Sequence, residues 1–488
     1  MRVEIIRSLA LRPEIDDGPR SAVLPVIDSW YAYWRTLTPI YLFRGQTTEE
    51  DIFPKLRTSL CRALNDLPHL LATLQPCTIL SNDQSKSPIQ RVKAIWGTET
   101  TSGEFIEART SARVRSLLPV SVPPNRSYLW NRSDKSLRAL FPQSTPASSA
   151  LRVQVTVFRC GGFGIALDLD HALADAHTVA LLMQRWCVSY TQLYAPELNT
   201  STLLPPIVSR ADIVPIDVNQ PSMLLEKASK LPIRRPDRRT LNPKAASGKL
   251  KPSPQAQILK RSYGGTPHLL HLTDRDYVRI SQRIRGTGDL QITEKVALMT
   301  VLWTALNRAR TRASLEPIEL EVTKDYRYTL GLPEGLTGCP CVAVMMDMDD
   351  DTLHGRNDGR VLAGRMAATL DACDEDAIRA VAYDASLRDS PTSSARSGSS
   401  PQERMCFTLG MQSRTVASLK FGPYSPILCA PLSMPIDNLF MMADSFAKGE
   451  DGKWHRSGID FYFCLTQVVL TELLCDPDLA CVEQLSDF

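Results

Sequence analysis

The sequence contains no run of about 18 apolar residues, so no segment reads as a helix that spans a bilayer. It has almost no excess of either charge: 56 Lys and Arg against 53 Asp and Glu leave +3 over 488 residues. So small a surplus gives no basis for binding driven by phosphate neutralisation, and nucleic acid is not an expected partner. The twelve cysteines are scattered without a Cys-x-x-Cys pair, the nearest two being Cys339 and Cys341. That spacing argues against a metal site and against a disulfide framework. The first twenty residues mix both charges and lack the apolar centre of a secretory leader. A reduced, cytoplasmic, monomeric protein with no membrane partner is expected. Also missing are a G-x-S-x-G elbow, a phosphate-binding G-x-x-x-x-G-K-[ST] loop, a G-x-G-x-x-G turn after a strand and an H-E-x-x-H helix.

What remains is ordinary globular composition, 43% apolar and 22% charged, in a chain long enough for roughly two to four domains. Ile52, Leu56, Leu60 and Leu64 recur every four residues and predict a helix that starts near Thr48 and stops before Pro68. Residues 151–158, LRVQVTVF, alternate cleanly and predict a half-buried strand. Gly161-Gly162 predicts a turn into a second strand over 163–170, and an apolar-striped helix follows to about residue 190. Residues 195–260 are rich in proline and basic residues and read as a crossing linker with little regular structure. Beyond it the pattern predicts a strand at 268–272 and helices at 274–285 and 293–308, the last capped by Thr293. Further strands are predicted at 318–323, 342–346 and 458–465, with a closing helix at 466–474. Residues 389–404 read as a polar, mobile loop. His268 and His271 are three apart on a strand and face opposite ways, which argues against a shared metal.

Two of the seven histidines are followed by an aspartate four residues later, His171-Ala-Leu-Ala-Asp175 and His354-Gly-Arg-Asn-Asp358. The second lies in a polar, acidic stretch, where an imidazole keeps its solution basicity and nothing fixes its tautomer. The first follows a buried strand and precedes an apolar helix. A strand end can hold an imidazole rigidly at the mouth of a cleft, which is where a general base has to be held. The blander alternative for His171 is a satisfied core histidine, with Asp175 as a helix cap or part of an ion-pair cluster with Asp170.

Around these residues, LRVQVTVFRCGGFGIALDLDHALADAHTVALLMQRW resembles the signature region of the BAHD superfamily of CoA-dependent acyltransferases, and of its fungal trichothecene O-acetyltransferase type in particular. The resemblance runs through LPVIDSWYAYWRTLTPIYLF with its acidic Asp28, LRTSLCRALNDLPHLLATL, ITEKVALMTVLWTALNRAR, TKDYRYTLGLPEGLTG and the ending GIDFYFCLTQVVLTELLCDPDLA. It implies an α/β fold of two chloramphenicol-acetyltransferase-like domains, each a mixed β-sheet with flanking helices, with a channel at their interface. The expected division is 1–200, a crossover linker over 201–262, and 263–488. It implies transfer of an acyl group, acetyl above all, from acyl-CoA to a hydroxyl of a secondary metabolite. His171 would be the general base, Asp175 would turn away from the cavity to hold local backbone through an arginine, and no acyl-enzyme would form. Acyl-CoA would be a co-substrate and no cofactor or metal would be permanently bound. Contacts to CoA would fall at Ser413, Phe421 and Gly422. The family's Asp-Phe-Gly-Trp-Gly motif is represented by Lys420-Phe421-Gly422-Pro423-Tyr424, and Arg327 would match the arginine that the motif's Asp pairs with. Lys420 could not make that pair. A carrier-bound acyl donor, an amine acceptor, or a non-catalytic ligand-binding relative are the alternatives.

Overall fold

The computed structural model describes residues 1–15, 17–32, 39–79, 89–118, 126–131, 137–143, 149–198, 203–213, 221–233, 265–285, 292–348, 359–387, 404–409, 419–431, 438–448 and 454–485. In chain order its strands are β1 (Val3–Leu11), β2 (Arg20–Val23), β3 (Pro39–Phe43), β4 (Thr73–Ile79), β5 (Ile89–Trp96), β6 (Gly103–Thr110), β7 (Ser127–Asn131), β8 (Leu151–Phe158) and β9 (Phe163–Leu169). The second half adds β10 (Thr266–Leu272), β11 (Glu319–Asp325), β12 (Cys341–Met346), β13 (Arg404–Leu409), β14 (Pro426–Pro431), β15 (Leu439–Lys448), β16 (Trp454–Leu465) and β17 (Val482–Leu485). The helices are α1 (Val26–Ser29), α2 (Glu49–Ala63), α3 (Ala176–Tyr194), α4 (Pro221–Lys230), α5 (Asp274–Arg285), α6 (Glu294–Arg312), α7 (Gly359–Asp371), α8 (Glu375–Leu387) and α9 (Gln467–Leu474).

Among the described residues these strands form two large mixed sheets and a small antiparallel one. The first runs β1-β6-β8-β9-β3-β14, the second β12-β11-β13-β15-β16-β10-β7-β17, and the small sheet β2-β5-β4. Each large sheet takes a strand from the other half of the chain: β14 pairs antiparallel with β3, and β7 lies between β10 and β17. The expected mixed α/β class is what is found.

Helix ends follow the capping chemistry read from sequence. Asp175 accepts the amide N–H of Thr178 at 2.9 Å to start α3 and Thr293 accepts that of Val296 at 3.2 Å to start α6, whereas Thr48 precedes α2 without a side-chain cap bond. α3 and α2 pack on one face of the first sheet, where Trp186 donates its indole N–H to the carbonyl of Leu56 at 2.9 Å. α6 is buried on nearly every side and carries Trp303 into the centre of the second core. A third apolar cluster joins the sheets: Ile40, Leu42, Phe158 and Ala166 from the first meet Leu269 and Tyr462 from the second.

Two expectations need correction. LRVQVTVF is buried on both faces, not one. Its polar side is covered by residues 137–143: Gln154 donates to the carbonyl of Ala139 at 3.2 Å, and Arg152 to that of Gln143 at 2.6 Å and to Glu104 at 2.5 Å. Burial is tolerated because the donors of Gln154 and Arg152 find partners there. The linker contains a regular helix, α4, and is laced to the second half by bridges at Ile207–Leu336 and Ile233–Val344. Prolines on either side obscured a ten-residue stretch, PSMLLEKASK, that is otherwise built of good helix formers. His354 and all of the expected 389–404 loop except Arg404, which begins β13, lie outside the described residues.

Candidate active site

β8 and β9 form a hairpin closed by Gly161 at φ +78°, and β9 runs out at Leu169. The next five residues are a tight turn. Asp170 donates its amide to the carbonyl of Ala150 at 3.1 Å, and its carboxylate accepts the amide of Ala172 at 3.1 Å. This turn presents His171, whose side chain is only partly buried while Ala172, Leu173 and Ala174 behind it are closed off. The turn abuts residues 336–341 of the second half. Ala174 bridges to Gly338, and Gly338 donates its amide to the hydroxyl of Thr178 at 3.1 Å.

Asp175 faces away from the imidazole. Its Oδ1 caps α3 and its Oδ2 lies 2.6 Å from Nη1 of Arg327, which also reaches Asp325 at 2.9 Å and donates from Nε to the carbonyl of Leu336 at 3.1 Å. Burial pushes the Asp175 carboxyl up, but the guanidinium and the amide of Thr178 outweigh it and hold the carboxyl below its usual range. Asp175 is therefore an ionised tie between the halves. The arginine expected to face Lys420 is thus committed elsewhere: Arg327 pairs with Asp175 and Asp325, and Lys420 is exposed. The replacement of the second motif's aspartate leaves no unpaired charge at Arg327.

Around His171 the structure gathers three groups that sequence reasoning did not assign to it. The ring of Tyr31 stacks on the imidazole, with centroids 5.3 Å apart and planes 30° from parallel. The Tyr31 hydroxyl donates to the carbonyl of Cys341 at 3.1 Å. The sulfur of Cys339 lies 3.3 Å from Nδ1. Asp28 completes the frame, accepting the amide of Cys339 at 3.1 Å and the hydroxyl of Ser209 at 2.9 Å. Its carboxyl is fully buried, and burial raises it to about 6. A second histidine, His177, donates Nε2–H to the carbonyl of Glu334 at 2.6 Å. Burial lowers the basicity of His171, while carbonyl oxygens of His171 and Ala174 and the charge of Asp175 oppose that shift. Its ring is therefore neutral at physiological pH and able to accept a proton.

Two of the three residues expected at CoA are described, and both lie in packed surroundings. Phe421 is fully buried, edge-on to Trp186, Tyr190 and Phe43. Gly422 turns the chain at φ +58° against Tyr190. Both belong to the first core, because a large apolar ring finds more burial there than at a ligand surface, and neither offers an exposed face. Ser413 lies outside the described residues. No group of three or more His, Cys, Asp or Glu among the described residues is arranged to hold a metal ion.

A family model described as the Transferase family matches residues 100–471, most of the chain. The chain belongs to this family, the BAHD type of acyltransferase. Acyltransferase abl6 of Leptosphaeria maculans is 43% identical over 506 residues, covering 100% of both chains. Two solved structures share the fold at low identity. Fusarium graminearum TRI101, crystallised with coenzyme A and deoxynivalenol, superposes with a TM-score of 0.65 at 12% identity, over 94% of this chain and 98% of that one. Vinorine synthase superposes with a TM-score of 0.61 at 13% identity, over 96% of each. This BAHD-type chain is an acyltransferase whose scaffold brings its two halves together at the His171 turn.

Proposed function

We propose that this acyltransferase moves an acyl group, acetyl above all, from acyl-CoA to a hydroxyl of a secondary metabolite, with His171 as general base. The observation that carries the reading is the state of that imidazole: partly open to solvent, neutral, and held on a rigid turn where the two halves meet. The fold shared with TRI101, which was crystallised with coenzyme A and deoxynivalenol together, supports the choice of donor and acceptor class.

A hydroxyl is a weak nucleophile until its proton has somewhere to go. Nε2 of His171 takes that proton as the acceptor oxygen bonds to the thioester carbonyl carbon, which contributes about 10²–10⁴-fold. The tetrahedral adduct then expels the thiolate as the C–S bond breaks, and the same imidazole returns its proton to sulfur. The ring ends neutral and no acyl-enzyme is formed. Asp175 holds the turn and carries no proton.

The test incubates the purified protein with acetyl-CoA and a panel of hydroxylated natural products, following free thiol and acetylated product mass. We expect acceptor-dependent release of CoA, and a loss of about 10²–10⁴-fold in His171→Ala with an unchanged circular dichroism spectrum. A His171→Ala variant that keeps the native rate overturns the assignment. Transfer only from a carrier-bound acyl chain, or only to amines, replaces the substrate class while keeping the base.

A further inference from the structure

We propose that Cys339 is the positioning residue for His171: its uncharged thiol group holds Nδ1, so that Nε2 faces the reacting atoms with its lone pair free. This inference rests on the reading of His171 as the base.

The argument starts from what is available to Nδ1. A base acting through Nε2 must carry its remaining proton on Nδ1, and the partner of that N–H sets the tautomer and the ring orientation. The nearby carboxylates have other work. Asp175 is bound to Arg327 and to the amide of Thr178, Asp170 accepts from the amide of Ala172, and Asp28 accepts from Cys339 and Ser209. The carbonyl oxygens of His171 and Ala174 also lie against the ring, and the sulfur of Cys339, 3.3 Å away, is the side-chain atom that meets Nδ1.

The sulfur is also fixed in place. Cys339 is fully buried, its amide is anchored on Asp28, and the preceding Gly338 is tied to Ala174 and Thr178. Thus the hydrogen bonds that dock residues 336–341 on the turn bearing His171 also set the sulfur-to-nitrogen distance. Tyr31 stacks on the ring and fixes its plane. Burial raises the Cys339 thiol well above its ordinary value, so it stays protonated and neutral.

Neutrality has a chemical consequence. A carboxylate at this position would stabilise the imidazolium and raise the basicity of His171. A thiol sulfur accepts the Nδ1–H weakly and supplies no counter-charge. The imidazolium formed during acyl transfer is then poorly stabilised and gives its proton promptly to the departing thiolate. Burial and the carbonyl oxygens of His171 and Ala174 set the basicity of the ring, and the charged groups near it, Asp175 with Arg327 from the second half and Asp28 from α1, are held by other partners, so a new anion at Nδ1 would add to that balance.

The experiment compares wild type, Cys339→Ala, Cys339→Ser and Cys339→Asp, with His171→Ala run alongside, on an acceptor that the panel assay selects. In Cys339→Ala we expect kcat to fall by about tenfold or more with KM for both substrates little changed. Cys339→Ser, which restores a neutral donor and acceptor, should recover most of that loss. Cys339→Asp should move the acid limb of kcat/KM upward by about one unit or more, as a new anion beside an imidazole does. NMR of the wild-type protein with nitrogen-labelled histidine, with His171 assigned by its loss in His171→Ala, should show the Nδ1–H tautomer. This measurement does not depend on any Cys339 variant folding. A kcat within about twofold of wild type in Cys339→Ala, an unmoved acid limb in a folded Cys339→Asp, or an Nε2–H tautomer in the wild type each overturns the proposal. If His171→Ala remains active, the reading of the base fails. If His171→Ala is dead and Cys339→Ala is normal, only the role of Cys339 fails.

Discussion

Two groups of the site, one half-buried and one fully buried, titrate away from their ordinary values, and in opposite senses for function and stability. Burial lowers the His171 imidazole, so it remains an unprotonated base to a lower pH than a free histidine. The acid limb of kcat/KM should therefore fall below about 6.5; a rate profile across the acidic range checks this, and a limb at or above the free-histidine value contradicts it. Asp28 behaves the other way. Burial lifts its carboxyl from 3.8 to about 6, with the charge of Asp175 adding to the shift and Arg327, Ser209 and the Cys339 amide opposing it. A group raised on folding contributes stability that is fully present below its unfolded value and is lost as pH rises through the folded one. Asp28→Asn keeps a neutral acceptor for the Cys339 amide and cannot ionise. Between pH values near 4 and near 7.5 the wild type should lose on the order of 2 kcal/mol relative to this variant, measured by urea unfolding at both. Parallel unfolding curves at the two pH values would show that Asp28 does not titrate in this range.

At the scale of elements, the segment 336–341 decides whether the turn bearing His171 meets the second half. Its pivot is Gly338, at φ +107°, where an added Cβ would stand 2.5 Å from Oδ2 of Asp28 and 2.7 Å from Cβ of Ser209. Gly331 in the same loop also has a positive φ, +58°, but faces open space. Gly331→Ala should cost about 1–2 kcal/mol from backbone strain alone and leave activity intact. Gly338→Ala should cost more and abolish transfer, because relieving the clash moves Cys339 and the bridge to Ala174. Thermal melts and initial rates of the two variants separate the outcomes, and equal behaviour would deny the segment its role. The same segment shows what was legible beforehand. The hairpin, the turn and α3 were readable because their signals are local: alternation in 151–158, paired glycines, and Asp175 as a cap. The partners of that turn were not, since Tyr31, Asp28 and Cys339 reach it from distant parts of the chain and carry no periodicity that points there. Resemblance to a family gave Asp175 an arginine without naming it and matched Arg327 to the second motif; that these are one and the same pair, 152 residues apart, is not readable from either motif alone.

The whole molecule is interlocked in a way that strand patterns alone could not reveal. Alternation identifies a strand but not its neighbour, and β7 and β14 each pair across the midpoint of the chain. β14 covers β3, setting Cys429 against Tyr41 and Ala430 against Ile40, and just before it the buried Phe421 enters the aromatic cluster of Trp186 and Tyr190. β7 sets Trp130 against Leu269 and Tyr128 against His271, and β17 then pairs with β7. A first half alone would leave β3 as an unpaired apolar edge and an opening where Phe421 sits. A second half alone would lose the strand between β10 and β17, leaving two more edges open to self-association. The third apolar cluster, Ile40, Leu42, Leu269 and Tyr462 among it, would be split between them. Residues 1–213 and 214–488 expressed separately should therefore aggregate or remain unfolded, whereas the two produced together should recover soluble, active complex. The intact chain should unfold in one transition seen alike by tryptophan fluorescence and circular dichroism. A first half that melts cooperatively by itself would mean that β14 and Phe421 are dispensable to the six-stranded sheet, and that the site is assembled from two folds that form independently.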